Sequence, residues 1–349
     1  MRHPAGVLDQ RLDPAERLAQ GEQPGPLADG QSLGLAAALV VGVGLLNFFI
    51  DPFNRFGNNR LGVFFAAERE SKPRMALKYP HNALLLGNSR IGMTLADQLD
   101  GFHFFNAAFA GGTSEEAYYF LKRYAWKDEL VVIGVDPGQC DPPELKGDIF
   151  APTTMTMTLS NVVSASTLKY SVMAVLEHLR GRPGMMNPDG SSTPARWPIM
   201  ARHGNLGTMA WQIAETRRIW SGTSLPAPGK LIFYRRIVEL LRERNIACVA
   251  LIPPLHESLA HYIPTSPVLP AYQAWRREIG SIFPHLVDCA FGPDSAITNF
   301  TTRDTTHLRP EAMVRLFNRD VIPVAIQAVR ERGSPTAEVN GRSKGDQSR

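Results

Sequence analysis

Residues 83–93 read ALLLGNSRIGM, a short apolar run that ends at Gly87-Asn88-Ser89 and leads into a helix-compatible stretch to Leu99. Continuous apolar runs of this length predict strands buried on both faces of a parallel sheet. Four later runs have the same character and lie at 103–107, 130–135, 246–252 and 286–288. Helical patterns separate the runs, and one of them starts at Thr113 with Glu116 at capping-box spacing. The sequence therefore predicts the α/β class, with a doubly wound parallel sheet flanked by helices.

One uncharged stretch near the N-terminus is long enough to cross a bilayer. Residues 33–50 (LGLAAALVVGVGLLNFFI) include one strongly polar residue, Asn47, and a helix of this length rises about 27 Å. A buried core helix is a poor match for a glycine-rich apolar stretch behind a polar tail. No small-x-small cleavage site follows it, as a signal peptide would require. We therefore predict an uncleaved transmembrane helix.

The charges that flank this segment leave its orientation open. Arg17 is the one Lys or Arg within about twenty residues before it, whereas Arg55, Arg60 and Arg69 follow it. The positive-inside rule, taken literally, places the C-terminal part of the chain in the cytoplasm. Large domains, however, translocate largely regardless of their charge. Charge alone therefore does not decide the side of the membrane.

The rest of the chain divides into two tails, a connector and one domain. The predicted boundaries are a disordered tail at 1–30, the anchor at 31–52, an extended basic connector at 53–80, the α/β domain at 81–332 and a disordered tail at 333–349. Residues 139–229 interrupt the strand–helix alternation and contain helical patterns at 168–179 and 206–219. An insertion of this length usually forms a lid or a substrate-shaping subdomain.

Composition excludes several classes of protein. The 349 residues are 44% hydrophobic and 20% charged, as in ordinary globular proteins. The net charge is +4 and no run of five like charges occurs, which argues against nucleic acid as a partner. Cys140, Cys248 and Cys289 are odd in number and widely spaced, which argues against a disulfide scaffold and a Cys-rich zinc site.

Polar residues follow several of the predicted strands, at the edge where ligands bind in doubly wound sheets. Ser89 follows the first strand, Gly111 the second and Asp136 the third, while Asp304 and His307 stand three residues apart in a late loop. Serine becomes a nucleophile when an imidazole takes its proton and a carboxylate orients that imidazole. Each residue alone also suits a helix cap or a chance pair. Together they predict a Ser89–His307–Asp304 triad.

Three segments resemble the sequence blocks of the SGNH hydrolase superfamily. LLLGNSRIGM is similar to the first block, in which Gly-Asp-Ser or Gly-Asn-Ser carries the nucleophile. FNAAFAGGTSEE is similar to the second, with Gly111 at the oxyanion glycine, and RDTTHL resembles the final Asp-x-x-His. The match covers residues 80–140 and 230–325 with the order of the blocks preserved. It implies an SGNH- or flavodoxin-like three-layer domain that uses the triad.

An anchor that runs into Asp51-Pro52-Phe53 also resembles the bacterial polysaccharide O-acetyltransferases of the alginate-acetylation type. That resemblance implies acyl transfer to a cell-surface or exported polysaccharide through an acyl-serine, by a periplasmic domain on the inner membrane. The expected partners are a glycan acceptor, an acyl donor, the membrane and other polysaccharide-biosynthesis proteins, with no metal or organic cofactor. Two alternatives stay open: an acetylesterase with the same triad, and a non-catalytic carbohydrate-binding or assembly protein that kept the fold.

The third block of this chain departs from the superfamily pattern. An asparagine normally donates to the oxyanion there, whereas this chain has Asp136, and an ionised carboxylate cannot donate. Either the oxyanion hole relies on the backbone N–H groups of Ser89 and Gly111, or Asp136 has another role. Asn88 and Asn106 are the candidate substitutes for the missing side-chain donor. The candidate oxyanion and substrate residues are Gly111, Asn88, Asn106, Asp136, Arg90 and His256.

Overall fold

The computed structural model describes residues 26–65, 67–137, 147–151, 160, 162–193, 209–220, 231–301 and 306–333. The predicted tails lie largely outside these ranges, as does much of the predicted insertion. The tail predicted at 1–30 is shorter than expected, because a helix already begins at Pro26.

Among the described residues, five strands form one parallel sheet. The strands are β1 (Ala83–Leu86), β2 (Phe104–Asn106), β3 (Leu130–Gly134), β4 (Ala247–Ile252) and β5 (Leu286–Asp288). Their spatial order is β2-β1-β3-β4-β5 and every neighbouring pair is parallel. The predicted α/β class and its parallel sheet are therefore confirmed. The chain order reverses between β1 and β3, which opens a crevice beyond their carboxyl ends.

Helices precede the sheet and cover both of its faces. They are α1 (Pro26–Ile50), α2 (Glu68–Lys78), α3 (Ser89–Gly92), α4 (Ser114–Tyr124), α5 (Ala165–Leu179), α6 (Met209–Trp220), α7 (Ile232–Glu243), α8 (Glu257–Tyr262), α9 (Leu269–Ile282), α10 (Pro310–Leu316) and α11 (Ile322–Gly333). Leu84 and Leu86 pack with the side chains of α4, α7 and α9, and Ala83 and Leu85 pack with those of α10 and α11. Alternation along one strand therefore fills two hydrophobic cores.

Helix α1 matches the predicted anchor. Its segment Ser32–Ile50 is long and apolar enough to span a membrane, and only 11% of the window is buried. Burial that low separates it from the core helix of a globular domain, which would be enclosed on most sides. The chain thus has one N-terminal helix suited to membrane anchoring.

The connector predicted at 53–80 is not extended, and this prediction was wrong. Residues 68–78 form helix α2, and Val63 and Phe65 are buried before it. The sequence ERESKPRMALK shows no apolar stripe because α2 buries Glu68 and Lys72 beside Met75. Both charged side chains bond inside the domain, so the segment is part of the fold.

The helix expected from Ser89 to Leu99 was also wrong in its length. It stops after one turn at Gly92, and a 3₁₀ turn at Ala96–Gln98 follows. The capping box predicted for the next helix is confirmed, since the Thr113 hydroxyl and the Glu116 carboxylate each accept from the other's backbone N–H. The early stop leaves Ser89 in the first turn, at the edge of the sheet.

Asp128, a buried acid just before the amino end of β3, gives a stability prediction. The Asp128 carboxylate lies 3.4 Å from the Nε2 atom of His81, a distance that suits an ion pair. Burial nevertheless raises the pKa of Asp128 to about 7 and lowers the pKa of His81, so both shifts favour the neutral forms. The folded chain keeps the Asp128 proton up to about pH 7, whereas an unfolded Asp loses it near pH 4. The contribution of Asp128 to the free energy of unfolding therefore falls as pH rises through this window, whereas the lowered pKa of His81 contributes in the opposite direction.

The Asp128→Asn variant removes this dependence. We expect its free energy of unfolding to exceed that of the wild type by on the order of 2 kcal/mol at pH 8, with the gain fading towards pH 4. Denaturant titrations of detergent-solubilised protein, followed by near-ultraviolet circular dichroism, measure the difference. Exposed Asp100 supplies the matched control, Asp100→Asn, which should show no such gain. Parallel pH profiles for wild type and Asp128→Asn would contradict the prediction.

Candidate active site

Ser89 lies in a tight turn between β1 and α3. Gly87 has φ of +140°, and a Cβ there would come within 2.9 Å of the Ile91 side chain. Asn88 is the N-cap of α3, and its Oδ1 accepts from the backbone N–H of Arg90 at 3.0 Å. Position 87 therefore requires glycine for both its backbone conformation and the space available. The Asn88 cap starts α3 directly after the strand. The turn places Ser89 at the carboxyl end of β1.

His307 reaches this turn from the far end of the chain. Its Nε2 atom lies 2.8 Å from the Oγ atom of Ser89. The His307 carbonyl accepts from the Thr301 N–H at 3.0 Å, and Phe300 and Leu308 form an antiparallel bridge. The loop is therefore closed at its base, and it presents the imidazole to the serine. Asp304, the third residue of the predicted triad, lies outside the described residues.

A separation of 2.8 Å is within reach for proton transfer between a hydroxyl and an imidazole. The pair lies beside the crevice between β1 and β3, where ligands bind in sheets of this strand order. Ser89 and His307 are 218 positions apart in the sequence, so the folded domain creates the contact. This arrangement can activate a serine as a nucleophile.

Asp136 has a role other than oxyanion donor. Its Oδ2 accepts from the Nη1 atom of Arg90 at 2.5 Å, and the Nη2 atom of Arg90 donates to the carbonyl groups of Pro253 and Pro254. Arg90 is buried, so its guanidinium ties together the segments that follow β1, β3 and β4. The prediction of Arg90 as a substrate contact is therefore replaced by a structural role.

Asn106 is not a substitute oxyanion donor, contrary to expectation. Its amide nitrogen donates to the carbonyls of Ile91 at 3.2 Å and Thr94 at 2.9 Å, which uses both hydrogens. Its Oδ1 atom accepts from the backbone N–H of Ala108 at 3.1 Å. Asn106 therefore connects the end of β2 to the segment after α3. Asn88 uses its Oδ1 as the cap of α3, which leaves the Nδ2 group as the donor that the sequence predicted for the oxyanion.

His256 is a buried helix cap. Its Nδ1 atom accepts from the backbone N–H of Ser258 at 3.2 Å, and its ring packs edge-on against Phe300 at 4.9 Å between centroids. Phe300 belongs to the bridge at the base of the His307 loop. His256 therefore packs against the base of the His307 loop. The structure gives it this packing role in place of the predicted substrate contact.

The glycine pair after β2, Gly111 and Gly112, lies against the turn that carries Ser89. Gly111 has φ of +59°, and a Cβ there would meet nothing within 4 Å. Gly112 donates to the Phe109 carbonyl at 2.9 Å, and a Cβ at Gly112 would lie 2.5 Å from the Gly87 carbonyl oxygen. The Phe109 N–H donates to that same carbonyl at 3.0 Å. The two turns are thus in direct backbone contact.

Glu68 and Lys72 of α2 hold this glycine turn from its other side. The Lys72 Nζ atom donates to the carbonyl of Ala108 at 2.5 Å, and the Glu68 carboxylate accepts from the N–H of Ala110 at 2.6 Å. The two side chains lie 3.9 Å apart and both are buried. Sequence reasoning missed them. Their four-residue spacing in a charged segment was the available signal, but it suits a solvated helix equally well.

Among the residues that the structure describes, no group of three or more His, Cys, Asp or Glu side chains is placed to hold a metal ion. No protein-family model matches the chain, and no curated protein is significantly similar to it in sequence. Fold and site together define an α/β protein with a serine–histidine pair at the carboxyl edge of a parallel sheet. Any chemistry at this site therefore depends on that pair and the residues around it.

Proposed function

We propose that this chain is a membrane-anchored serine O-acyltransferase that acts on cell-surface or exported polysaccharide through an acyl-serine intermediate. The observation that carries the proposal is the 2.8 Å contact between the Ser89 Oγ and the His307 Nε2 at the carboxyl edge of the sheet. It is supported by the resemblance of three sequence blocks to the SGNH hydrolases. An acetyl group is the acyl group that this resemblance favours.

In the first step the Ser89 Oγ attacks the acyl carbonyl while its proton passes to the Nε2 of His307. The bond between the carbonyl carbon and the donor's leaving atom then breaks, and His307 returns the proton to that leaving group. Asp304 is proposed to orient the imidazole and stabilise its charged form. The negative charge on the carbonyl oxygen is proposed to be met by the backbone N–H groups of Ser89 and Gly111.

In the second step a sugar hydroxyl attacks the acyl-serine and passes its proton to His307. The ester bond to Oγ breaks, and Ser89 takes the proton back from the imidazole. Water in place of the sugar would give hydrolysis by the same route. Positioning of an acceptor hydroxyl with exclusion of water decides between the two outcomes.

The anchor supports a role beside a polymer that is made or exported at a membrane. Helix α1 would hold the domain within reach of such a polymer, and the resemblance places the domain on the periplasmic side of a bacterial inner membrane. The arginines after the anchor point to the opposite side, but large domains translocate largely regardless of flanking charge. Periplasmic placement is therefore part of the proposal.

An acetylesterase is the second candidate. The described segment 162–193 of the insertion packs against the anchor, the segment 53–65 and the β2 edge. An insertion that packed only there would leave the site open to water and favour hydrolysis. The departure of Asp136 from the superfamily pattern, taken alone, favours a third candidate, the non-catalytic protein. Its pairing with Arg90 gives that residue a structural reason to be there and weakens this third alternative.

The test supplies detergent-solubilised full-length protein with a chromogenic acetyl ester, with and without oligosaccharide acceptors. Mass spectrometry then quantifies acetylated sugar against free acetate, with Ser89→Ala as the blank. The proposal expects acetylated sugar as the main product when a suitable acceptor is present. Free acetate as the sole product across many acceptors, with release of esters from acetylated polysaccharide, would establish the esterase. Absence of any Ser89-dependent product would overturn both enzymes.

A further inference from the structure

Helix α5 is joined to the last turns of the anchor by one polar side chain. The Asn47 amide donates to the carbonyl groups of Val162 at 2.7 Å and of Ser164 at 3.3 Å. Its Oδ1 accepts from the Ser171 hydroxyl at 2.8 Å, and both side chains are buried. Asn47 is the one strongly polar residue of the apolar stretch, and these bonds satisfy it without water. The start of α5 is therefore fixed against the anchor.

These contacts lie inside the length of helix that a bilayer needs. The segment Ser32–Ile50 has 19 residues and rises about 28 Å, close to the thickness of a hydrocarbon core of roughly 30 Å. Asn47 lies about 5 Å and Gly44 about 9 Å before the end of α1. A Cβ at Gly44 would lie 3.4 Å from the side chain of Val162.

Exclusion of these contacts from the bilayer would leave the anchor too short. Residues 32–43 alone would rise about 18 Å, well below the thickness of a hydrocarbon core. The preceding residues 26–31 (PLADGQ) include the charged Asp29 and the polar Gln31, so they do not extend the apolar stretch. An anchor that spans therefore draws residues 162–164 and the start of α5 into the adjacent leaflet. The carbonyl groups of Val162 and Ser164 already have the partner that this low-dielectric position requires.

The outward face of α5 suits such a position. Val172, Leu176 and Leu179 recur at helical spacing and are 45%, 42% and 76% exposed. The inward face, with Ser171 and Ala174, is buried. Helices of globular domains rarely direct a stripe of large apolar side chains to water, whereas helices that lie in a membrane interface do.

Charge at the end of α5 agrees with a phospholipid surface. Arg180 and Arg182 follow the helix, pair with Glu177 and remain more than half exposed. Lys169 is exposed on the same stripe as Val172, and a long basic side chain there can reach from the acyl region to the headgroups. The basic residues outnumber the acidic one, which favours anionic headgroups.

We infer that α5 is a second membrane contact, with Val172, Leu176 and Leu179 inserted among the acyl chains of the leaflet from which the anchor emerges. Arg180 and Arg182 then lie at the phosphates of anionic phospholipids. The bilayer is the occupant of this face because α5 is bonded to Asn47, and Asn47 lies within the part of the anchor that must be in the hydrocarbon core. The inference requires the anchor to be in a membrane, but it does not depend on the chemistry proposed for Ser89.

Site-specific photocrosslinking tests the inference on the full-length chain in vesicles of phosphatidylethanolamine and phosphatidylglycerol. Benzoylphenylalanine replaces Leu176 in one variant and Trp126, which is 67% exposed and lies between α4 and β3, in a matched control. After irradiation, mass spectrometry measures the phospholipid adducts. We expect about tenfold more adduct at position 176 than at position 126. The same probe at Leu39, in the middle of the anchor, is the positive control.

Two results would overturn the inference. One is a probe at position 176 that couples to a second copy of the chain, or gives no more lipid adduct than position 126, while position 39 is labelled. The other is the absence of lipid adduct at position 39. That result would show that the anchor is not in the bilayer, and the inference requires that it is. Val172 carries the probe if the Leu176 variant does not fold. Ester turnover by Ser89 is measured separately, so a negative result at position 176 alone leaves the proposed function standing.

Discussion

Replacement of Ser89 by Ala is expected to lower the turnover of a chromogenic acetyl ester by about 10⁴-fold or more, and His307→Ala by a similar factor. In the proposed mechanism the Ser89 Oγ forms the acyl bond, and the His307 Nε2, 2.8 Å away, accepts its proton. Loss of either group leaves the other without a partner in the reaction. Steady-state kinetics on purified full-length protein measure both effects.

The double variant provides the sharper criterion. Because the two residues act as a unit, Ser89→Ala with His307→Ala should be little slower than either single variant. Exposed Ser281 and His261 supply matched controls, Ser281→Ala and His261→Ala, which should retain wild-type turnover. Wild-type turnover in Ser89→Ala, or losses that multiply in the double variant, would refute the serine mechanism.

The Gly112→Ala variant is expected to lose about 10²-fold or more in turnover and on the order of 2–3 kcal/mol in the free energy of unfolding. The added methyl would lie 2.5 Å from the carbonyl oxygen of Gly87 and 3.0 Å from that of Phe109. Both neighbours are backbone atoms, so neither can rotate away. The glycine turn must then separate from the turn that carries Ser89.

Gly111→Ala is the matched comparison, one residue away. Its methyl would meet nothing within 4 Å, so the cost is the left-handed conformation alone, at φ of +59°. That conformation costs an L-residue about 1 kcal/mol. We therefore expect Gly111→Ala to fold, with a smaller loss of stability than Gly112→Ala. Kinetics and denaturant titrations on both variants decide the matter, and equal effects would show that the contact with Gly87 is unimportant.

The sheet was predictable because four of its five described strands, β1 to β4, are buried along their whole length. Such strands must be apolar throughout, and runs like Leu130–Gly134 stand out in any sequence. The Ser89–His307 pair was predictable for a related reason. Parallel strands bring their carboxyl ends to one edge, so polar residues that follow them meet there.

The charged interior was not predictable from the sequence. Arg90 with Asp136 spans 46 positions, and Lys72 with the Ala108 carbonyl spans 36. A buried charge looks like a surface charge in a sequence, because burial is decided by a partner that only the fold supplies. Helix α2 was missed for this reason. The role of Asp136 stayed open for the same reason, since its partner Arg90 could not be identified from the neighbouring sequence.

The folded state of residues 53–80 sets the working distance of the domain. As an extended chain, these residues would span about 90 Å, and the domain could then move far from the anchor. Folded around α2 and joined to the anchor through α5, they allow no such excursion, so with α1 in a bilayer, as proposed, the site would stay within a few tens of ångströms of the lipid. Encounters with substrate would then be governed by lateral diffusion of the whole molecule in the plane of the membrane. A polymer would be met where it emerges, or not at all.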